Sequence, residues 1–192
     1  MRIAAILIGI SWLIFLAYWA VSARNVKRSA DPRAVTKRWL VAVVALVGVA
    51  MIVRNLASGK EMAWPRDTLW PFSEVRAALA VAVSYIGLAI AIWARRTLGR
   101  NWSGQPELKQ GHELVISGPY TWVRHPIYSG LLVMFLAVPL FWPTTATLAL
   151  LPVVAVGIQL KLTREEALMA GEFPEAWPPY RARTSRVIPL IW

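Results

Sequence analysis

Two polar segments hold nearly all the chemistry available to this 192-residue chain. The first, GPYTWVRHPIYSG at 118–130, gathers an arginine, a histidine, two prolines and two tyrosines between apolar stretches. The second, KLTREEALMAGEFPEAWPPYRART at 161–184, carries a lysine, paired glutamates and a basic end. Arg124 and His125 precede Pro126, a residue suited to the first turn of a helix, where free N–H groups attract anions. Such a helix mouth can hold a carboxylate-bearing ligand. It can equally be a plain interfacial helix start with Arg124 on a lipid phosphate. Lys161 and Glu165 are four residues apart and share a helical face. They read as a surface ion pair of little weight, or as a carboxylate aimed at a cationic ligand group with a cation one turn away.

Other chemistries lack their residues. The chain has no cysteine, which removes disulfides, thiolate metal sites and a cysteine nucleophile. His112 and His125 are the only histidines; without cysteines they make a poor metal site, and no metal is expected. Neither GxGxxG nor GxxxxGK[ST] occurs, and no serine lies in GxSxG, so nucleotide-fold and hydrolase readings have no support. The net charge of +11 raises the question of nucleic acid. The basic residues, however, sit in short segments between apolar runs, as in a membrane protein facing anionic lipid. No nucleic-acid partner is expected.

The elements that position these segments are apolar. The chain is 57% hydrophobic and only 16% charged, against about 25% charged in soluble domains. Uncharged or nearly uncharged runs cover Ile3–Val21, Trp39–Val53, Val75–Trp93, about Ile127 through Trp142, and about Thr145–Leu160. About 20 apolar residues cross a bilayer as a helix. The first run is followed by SARNVKRSADPR, which is basic rather than cleavable, so it reads as a retained helix and not a signal peptide. WPTT at 142–145 breaks the fourth run from the fifth, with Pro143 in a tight turn or at the next helix start. Pro152 is expected to kink the fifth helix; Lys161, Glu165, Leu168 and Met169 fit a helix continuing from or following it, which FPEAWPPY must break because Pro178 and Pro179 cannot sit in a helix interior. The expected fold is all-α: a polytopic membrane protein with about five transmembrane helices, the last two a short helical hairpin.

One membrane domain is expected over 1–192, with two spans in 1–57 and a core at 74–192. The loops at 23–38 and 94–126 and the tail from 161 are the basic ones, and the 142–145 turn has no charge. Positive loops stay in the cytoplasm, which puts the N-terminus outside and the C-terminus, with both polar segments, inside. A bacterial inner membrane is the expected location. Tryptophans at 39, 64, 70, 93, 102, 142 and 192 fall near the span boundaries, where interface anchoring is their ordinary role.

Taken together, GHELVISGPYTWVRHPIYSG (111–130) and EEALMAGEFPEAWPPYRART (165–184) resemble the isoprenylcysteine carboxyl methyltransferase family. The first fits its G-x-Y-x-x-x-R-H-P-x-Y pattern. The second fits E-E-x-x-L-x-x-x-F-G-x-x-Y-x-x-Y-x-x-R, with Met169, Pro174 and Trp177 in place of Leu, Gly and the first Tyr. The resemblance covers roughly 95–192. It implies an integral-membrane enzyme that uses S-adenosylmethionine and releases S-adenosylhomocysteine, with the cytoplasmic loop and a C-terminal helix forming the cofactor pocket. Carried over by motif, the cofactor side takes Gln105, His112, Glu113, Leu114, Val115 and Tyr120 from the loop. His125, Pro126, Ile127 and Tyr128 follow at the helix start, and Glu165 after the hairpin.

Glu165, Lys161 and Arg183 are the candidate catalytic residues; Lys161 stands where the family often has arginine on the substrate side. On this reading Glu165 binds the cofactor's ammonium, and His125 with nearby backbone N–H groups binds its carboxylate. The rings of Tyr120, Tyr128 or Trp122 face the adenine or the sulfonium. The implied acceptor is lipophilic: a small molecule or prenylated group whose carboxylate, such as that of a prenylated cysteine, is O-methylated. Such a nucleophile is already ionised and needs no base, so rate comes from alignment. The rival acceptor is an amine lipid or phospholipid amine, which must lose a proton first. A non-catalytic membrane subunit, a transporter or a nicotinamide-dependent reductase are the remaining readings. Membrane lipids are partners in every case, and the oligomeric state is open.

Overall fold

A computed structural model of the chain describes residues 1–22, 24, 67–102 and 113–190. Five α-helices lie in those residues: α1 (Arg2–Ser22), α2 (Glu74–Leu98), α3 (Pro126–Phe141), α4 (Thr145–Glu172) and α5 (Trp177–Arg183). Two 3₁₀ turns, Gly99–Asn101 and Gly118–Thr121, flank the α2–α3 connection. No strand occurs among the described residues, as the all-α expectation requires. The expected span at Trp39–Val53 lies outside them. α1 and α2 run parallel, with Ala5 and Ile8 beside Ala77 and Ala80 at one end and Ser22 against Arg95 at the other.

Among the described residues, three helices, α1, α4 and α2 with its 3₁₀ extension, are long and apolar enough to cross a membrane, and α3 is a shorter apolar helix. The chain is therefore an integral membrane protein. Its outward residues are apolar: Ile3, Val75, Val153, Val156 and Leu160 are each more than half exposed. Its inward residues are small. On α2, Ala77, Ala80, Ser84, Gly87, Ala91 and Ala94 form a buried stripe at alternating three- and four-residue spacing. α3 answers with Gly130, Met134, Ala137 and Phe141. Small residues let backbones close up where lipid offers no hydrophobic drive to pack. α2 and α3 meet at Gly87 and Gly130, where a Cβ on either glycine would lie 2.6 Å from the other's carbonyl oxygen. α1 joins through Ser11 and Ser84, fully buried with hydroxyls 2.6 Å apart.

Local signals set the helix ends. Ser73 caps α2, its side chain accepting from the Arg76 N–H, and Gly99 ends it at φ +53°, a conformation glycine adopts without strain. Thr144 and Thr147 form a reciprocal capping box at the start of α4, the arrangement that satisfies two free N–H groups at once. Pro143 lies in the turn between α3 and α4, buried.

The structure settles how the C-terminal third divides into helices. Of the two expected courses after Leu160, the continuing one is found: the helix runs unbroken to Glu172, with Pro152 inside it. Its 28 residues span about 42 Å, well beyond a ~30 Å hydrocarbon core. The charged stretch from Lys161 onward is therefore a continuation of the span into the polar zone. The FPEAWPPY stretch breaks the helix as expected, and Pro178 and Pro179 lie outside its interior. They occupy the first turn of α5, where a missing N–H costs nothing; the break falls at Phe173–Ala176.

Candidate active site

The end of the bundle where α1 and α2 finish also collects the start of α3, the charged half of α4, and α5. Arg95 ties this end together. It is 3% exposed and donates to the carbonyls of Ser22 (2.8 Å) and Gly99 (2.6 Å). Its guanidinium also lies 4.6 Å from the centroid of the Trp102 ring. A cation in the last turn complements the helix dipole. Trp102, expected as an interface anchor, instead walls a cavity at this end.

That cavity is partly open to solvent and has a volume of about 130 Å³. The apolar and aromatic lining includes Leu98, Leu114, Val115, Ile127 and Trp177. The polar lining is Glu113, Arg124, His125, Tyr128 and Glu165. Apolar lining with a few convergent polar groups is the general form of a ligand site.

The polar wall is one connected network. Glu165 Oε1 accepts from the Tyr128 hydroxyl at 3.1 Å and lies 3.7 Å from Lys161 Nζ. Its Oε2 lies 3.6 Å from His125 Nδ1. The other imidazole nitrogen, Nε2, lies 3.2 Å from Glu166 Oε1. The same Glu166 oxygen accepts from Arg124 Nε at 2.9 Å, and Oε2 pairs with Arg186 Nη2 at 3.1 Å. Arg124 also donates to the carbonyls of Arg181 and Thr184, and Arg186 donates to Gln159 at 2.8 Å.

The segment after α5 holds this network from behind. Arg124 N–H donates to Ser185 O (2.9 Å), His125 N–H to Arg186 O (3.1 Å) and Ser185 N–H to Trp122 O (3.1 Å). The Ser129 hydroxyl donates to Val187 O at 2.6 Å, and Val187 is fully buried against Ile158 and Leu162. On the α5 side, the Tyr180 hydroxyl donates to Tyr120 O at 2.9 Å. Burial pushes the Tyr180 hydroxyl up to about 12 and also raises that of Tyr120. Both phenols therefore stay protonated at physiological pH.

Among the residues expected from the sequence, the cavity gathers Glu113, Leu114, Val115, Tyr120, His125, Ile127, Tyr128 and Glu165. Pro126 is fully buried beside it. Lys161 adjoins it through Glu165 and lies 5.3 Å from the Tyr128 ring centroid. Arg183 is exposed and does not line the cavity, but lies over the ring of Tyr180, which does, at 5.9 Å. Gln105 and His112 lie outside the described residues. Trp122 is 59% exposed and packs edge-on to Trp93 rather than facing the cavity. The anion-binding reading of the α3 start loses two donors: the His125 and Tyr128 N–H groups are both taken by backbone carbonyls.

Sequence reasoning missed Glu166, Arg186 and Asn101. Glu166 was in view as the second member of the glutamate pair; Arg186 lies past the quoted pattern and had no signal. Asn101, 8% exposed, lines the cavity from the turn after α2.

Comparisons with known proteins bear on the same region. The family model for phospholipid methyltransferases matches residues 75–176, which takes in the first polar segment and the paired glutamates. A protein of Bacillus subtilis (strain 168), the uncharacterized protein YpbQ, is 30% identical over 90 residues, 46% of this chain and 54% of that protein. The chain thus spans about half the length of this curated relative. Among solved structures, the eukaryotic intramembrane Ras methyltransferase, an isoprenylcysteine carboxyl methyltransferase, aligns at 20% identity with a TM-score of 0.49. That alignment covers 84% of this chain and 69% of the other. The family model covers more than half of the residues and includes the helix that carries both glutamates, and on that match the chain belongs to the phospholipid methyltransferase family.

Proposed function

We propose that the chain is an integral-membrane, S-adenosylmethionine-dependent methyltransferase whose acceptor is lipophilic and carries a carboxylate, such as that of a prenylated cysteine. The observation that carries the reading is the cavity, lined by Glu165 in contact with His125 and Tyr128 and by apolar and aromatic side chains. These groups fit the cofactor: Glu165 can accept from its ammonium, and the apolar lining suits its adenine. The cofactor supplies an activated methyl group. The chain's own task is to bind, align and keep out water. Lys161, beside the cavity at Glu165 and Tyr128, supplies a cation toward the acceptor's carboxylate. The catalytic core on this reading is 74–192, and the active site faces the cytoplasm.

A second reading has its own support. The matched family is described by phospholipid methyl transfer, and Glu165 with His125 offers groups able to take the proton an amine acceptor must lose.

The first test is calorimetric titration of the detergent-purified protein with S-adenosylmethionine and S-adenosylhomocysteine. Micromolar binding, roughly −8 kcal/mol, is expected, with losses of about tenfold or more in His125→Ala and Glu165→Ala. A folded wild type that binds neither compound overturns the methyltransferase reading. Labelled-methyl transfer to prenylcysteine and amine-lipid acceptors then separates the two acceptors. A methyl ester is released as methanol by alkali, whereas an N-methyl group survives it, so an alkali-stable product removes the carboxylate reading.

A further inference from the structure

The two adjacent glutamates meet the same imidazole from opposite sides, and only one of them lines the cavity. Glu165 does so; Glu166 stands behind, 9% exposed. Glu166 is held by two guanidinium groups, Arg124 at Oε1 and Arg186 at Oε2. A carboxylate engaged by two arginines acts as an acceptor only. The imidazole nitrogen that faces it, His125 Nε2 at 3.2 Å, must therefore donate. We propose that Glu166 is a positioning residue that holds His125 as the Nε2–H tautomer and so turns the Nδ1 lone pair toward Glu165 and the cavity.

The consequence is chemical. Nδ1 lies 3.6 Å from Glu165 Oε2, so the wall presents an imidazole lone pair and a carboxylate side by side. Two acceptors together suit a ligand group that donates, such as an ammonium, and repel a free carboxylate. His125 is thereby turned away from the ligand's carboxylate and toward its cationic group. A third residue that sets the tautomer and orientation of a working histidine is a recurrent device. Here the main chain assists it, since the His125 N–H is fixed on Arg186 O, and the Arg186 side chain fixes Glu166. Arg186 therefore grips both the histidine's backbone and the residue that orients its ring.

The tautomer stands independently of the ligand's identity; its effect on cofactor binding rests on the methyltransferase reading above. The chain has only two histidines, so ¹⁵N-histidine labelling yields two imidazoles, and a His112→Gln variant assigns the remaining one to His125. Spectra are taken at alkaline pH, where an ordinary imidazole is neutral. The wild type is expected to show a protonated Nε2 and an unprotonated Nδ1. Glu166→Gln, which presents an amide where two cations and an N–H each need an acceptor, is expected to mix the tautomers. It is also expected to weaken S-adenosylhomocysteine binding by on the order of tenfold, the size of outer-partner effects on a working histidine. Arg186→Gln, which frees one carboxylate oxygen, is expected to shift the tautomer in the same direction by less, and serves where Glu166→Gln does not fold. A wild type with Nδ1 protonated, or variants that fold and keep the wild-type tautomer, overturns the proposal. A wild type with the expected tautomer that binds no cofactor overturns the methyltransferase reading and leaves the positioning role standing.

Discussion

Replacing Gly130 by leucine is expected to cost about 3 kcal/mol or more, the upper range for forcing bulk into a closed contact, and to drive α2 and α3 apart. The clash is with backbone. A Cβ at Gly130 meets the Gly87 carbonyl oxygen at 2.6 Å and the Ala91 nitrogen at 2.7 Å. Neither atom can swing aside as a side-chain tip could. The reciprocal change at Gly87 meets Gly130 O at 2.6 Å and Met134 N at 2.7 Å, so it is expected to do equal harm. The two helices carry different parts of the cavity: α2 leads into Asn101 and Trp102, and α3 begins at Pro126 just after His125. Cofactor binding should fall with the helix pair. Gly157 supplies the control. A Cβ there meets nothing within 4 Å, and Gly157→Ala is expected to stabilise by roughly 0.5 kcal/mol through helix propensity alone. Reversible unfolding in mixed micelles reads both. A Gly130→Leu protein with wild-type stability would show that the close helix contact does not exist in the membrane.

The two helices were legible in the sequence; their close contact at Gly87 and Gly130 and much of the polar network were not. The runs Ile3–Val21 and Val75–Trp93 announce α1 and α2 because uncharged stretches of that length have few other fates. The end of α4 could not be placed, because Lys161–Glu172 is made of good helix formers, and nothing in composition separates a continued helix from a new one. The Pro178–Pro179 pair reads as a stop or as a start, and only the preceding turn decides. His125, Tyr128 and Glu165 came from the motifs, and the fold brings them into contact across 37 to 40 residues of sequence. Glu166 and Arg186 could not be assigned in the same way. Their meaning depends on the segment after α5 folding back beside 122–125, a pairing made by four backbone positions with no pattern of their own.

Glu165 and Glu166, neighbours on one helix, are expected to separate function from stability. Glu166→Ala should destabilise by about 3–5 kcal/mol, the cost of leaving a buried charge without its partner. Three cationic or donor groups, Arg124, Arg186 and the His125 Nε2, converge on Glu166 with side chains at most 14% exposed. Removing the carboxylate leaves two guanidinium groups facing each other in a place water reaches poorly. Glu165 is more open, with its side chain 20% exposed, and its nearest cation, Lys161, is 32% exposed. Solvent screens that pair, so Glu165→Ala should cost only about 1 kcal/mol, mainly the Tyr128 hydrogen bond. The order reverses for the ligand. Glu165→Ala is expected to remove most cofactor affinity from a protein of nearly wild-type stability, whereas Glu166→Ala loses affinity because the wall that holds His125 comes apart. Adding Arg124→Met and Arg186→Met to Glu166→Ala should recover part of the stability, since the uncompensated charges go too, but not the affinity, because nothing then orients the imidazole. Paired unfolding and titration measurements on the four proteins decide it. Equal stability losses at the two glutamates would mean that the network behind His125 is as exposed to water as the cavity in front of it.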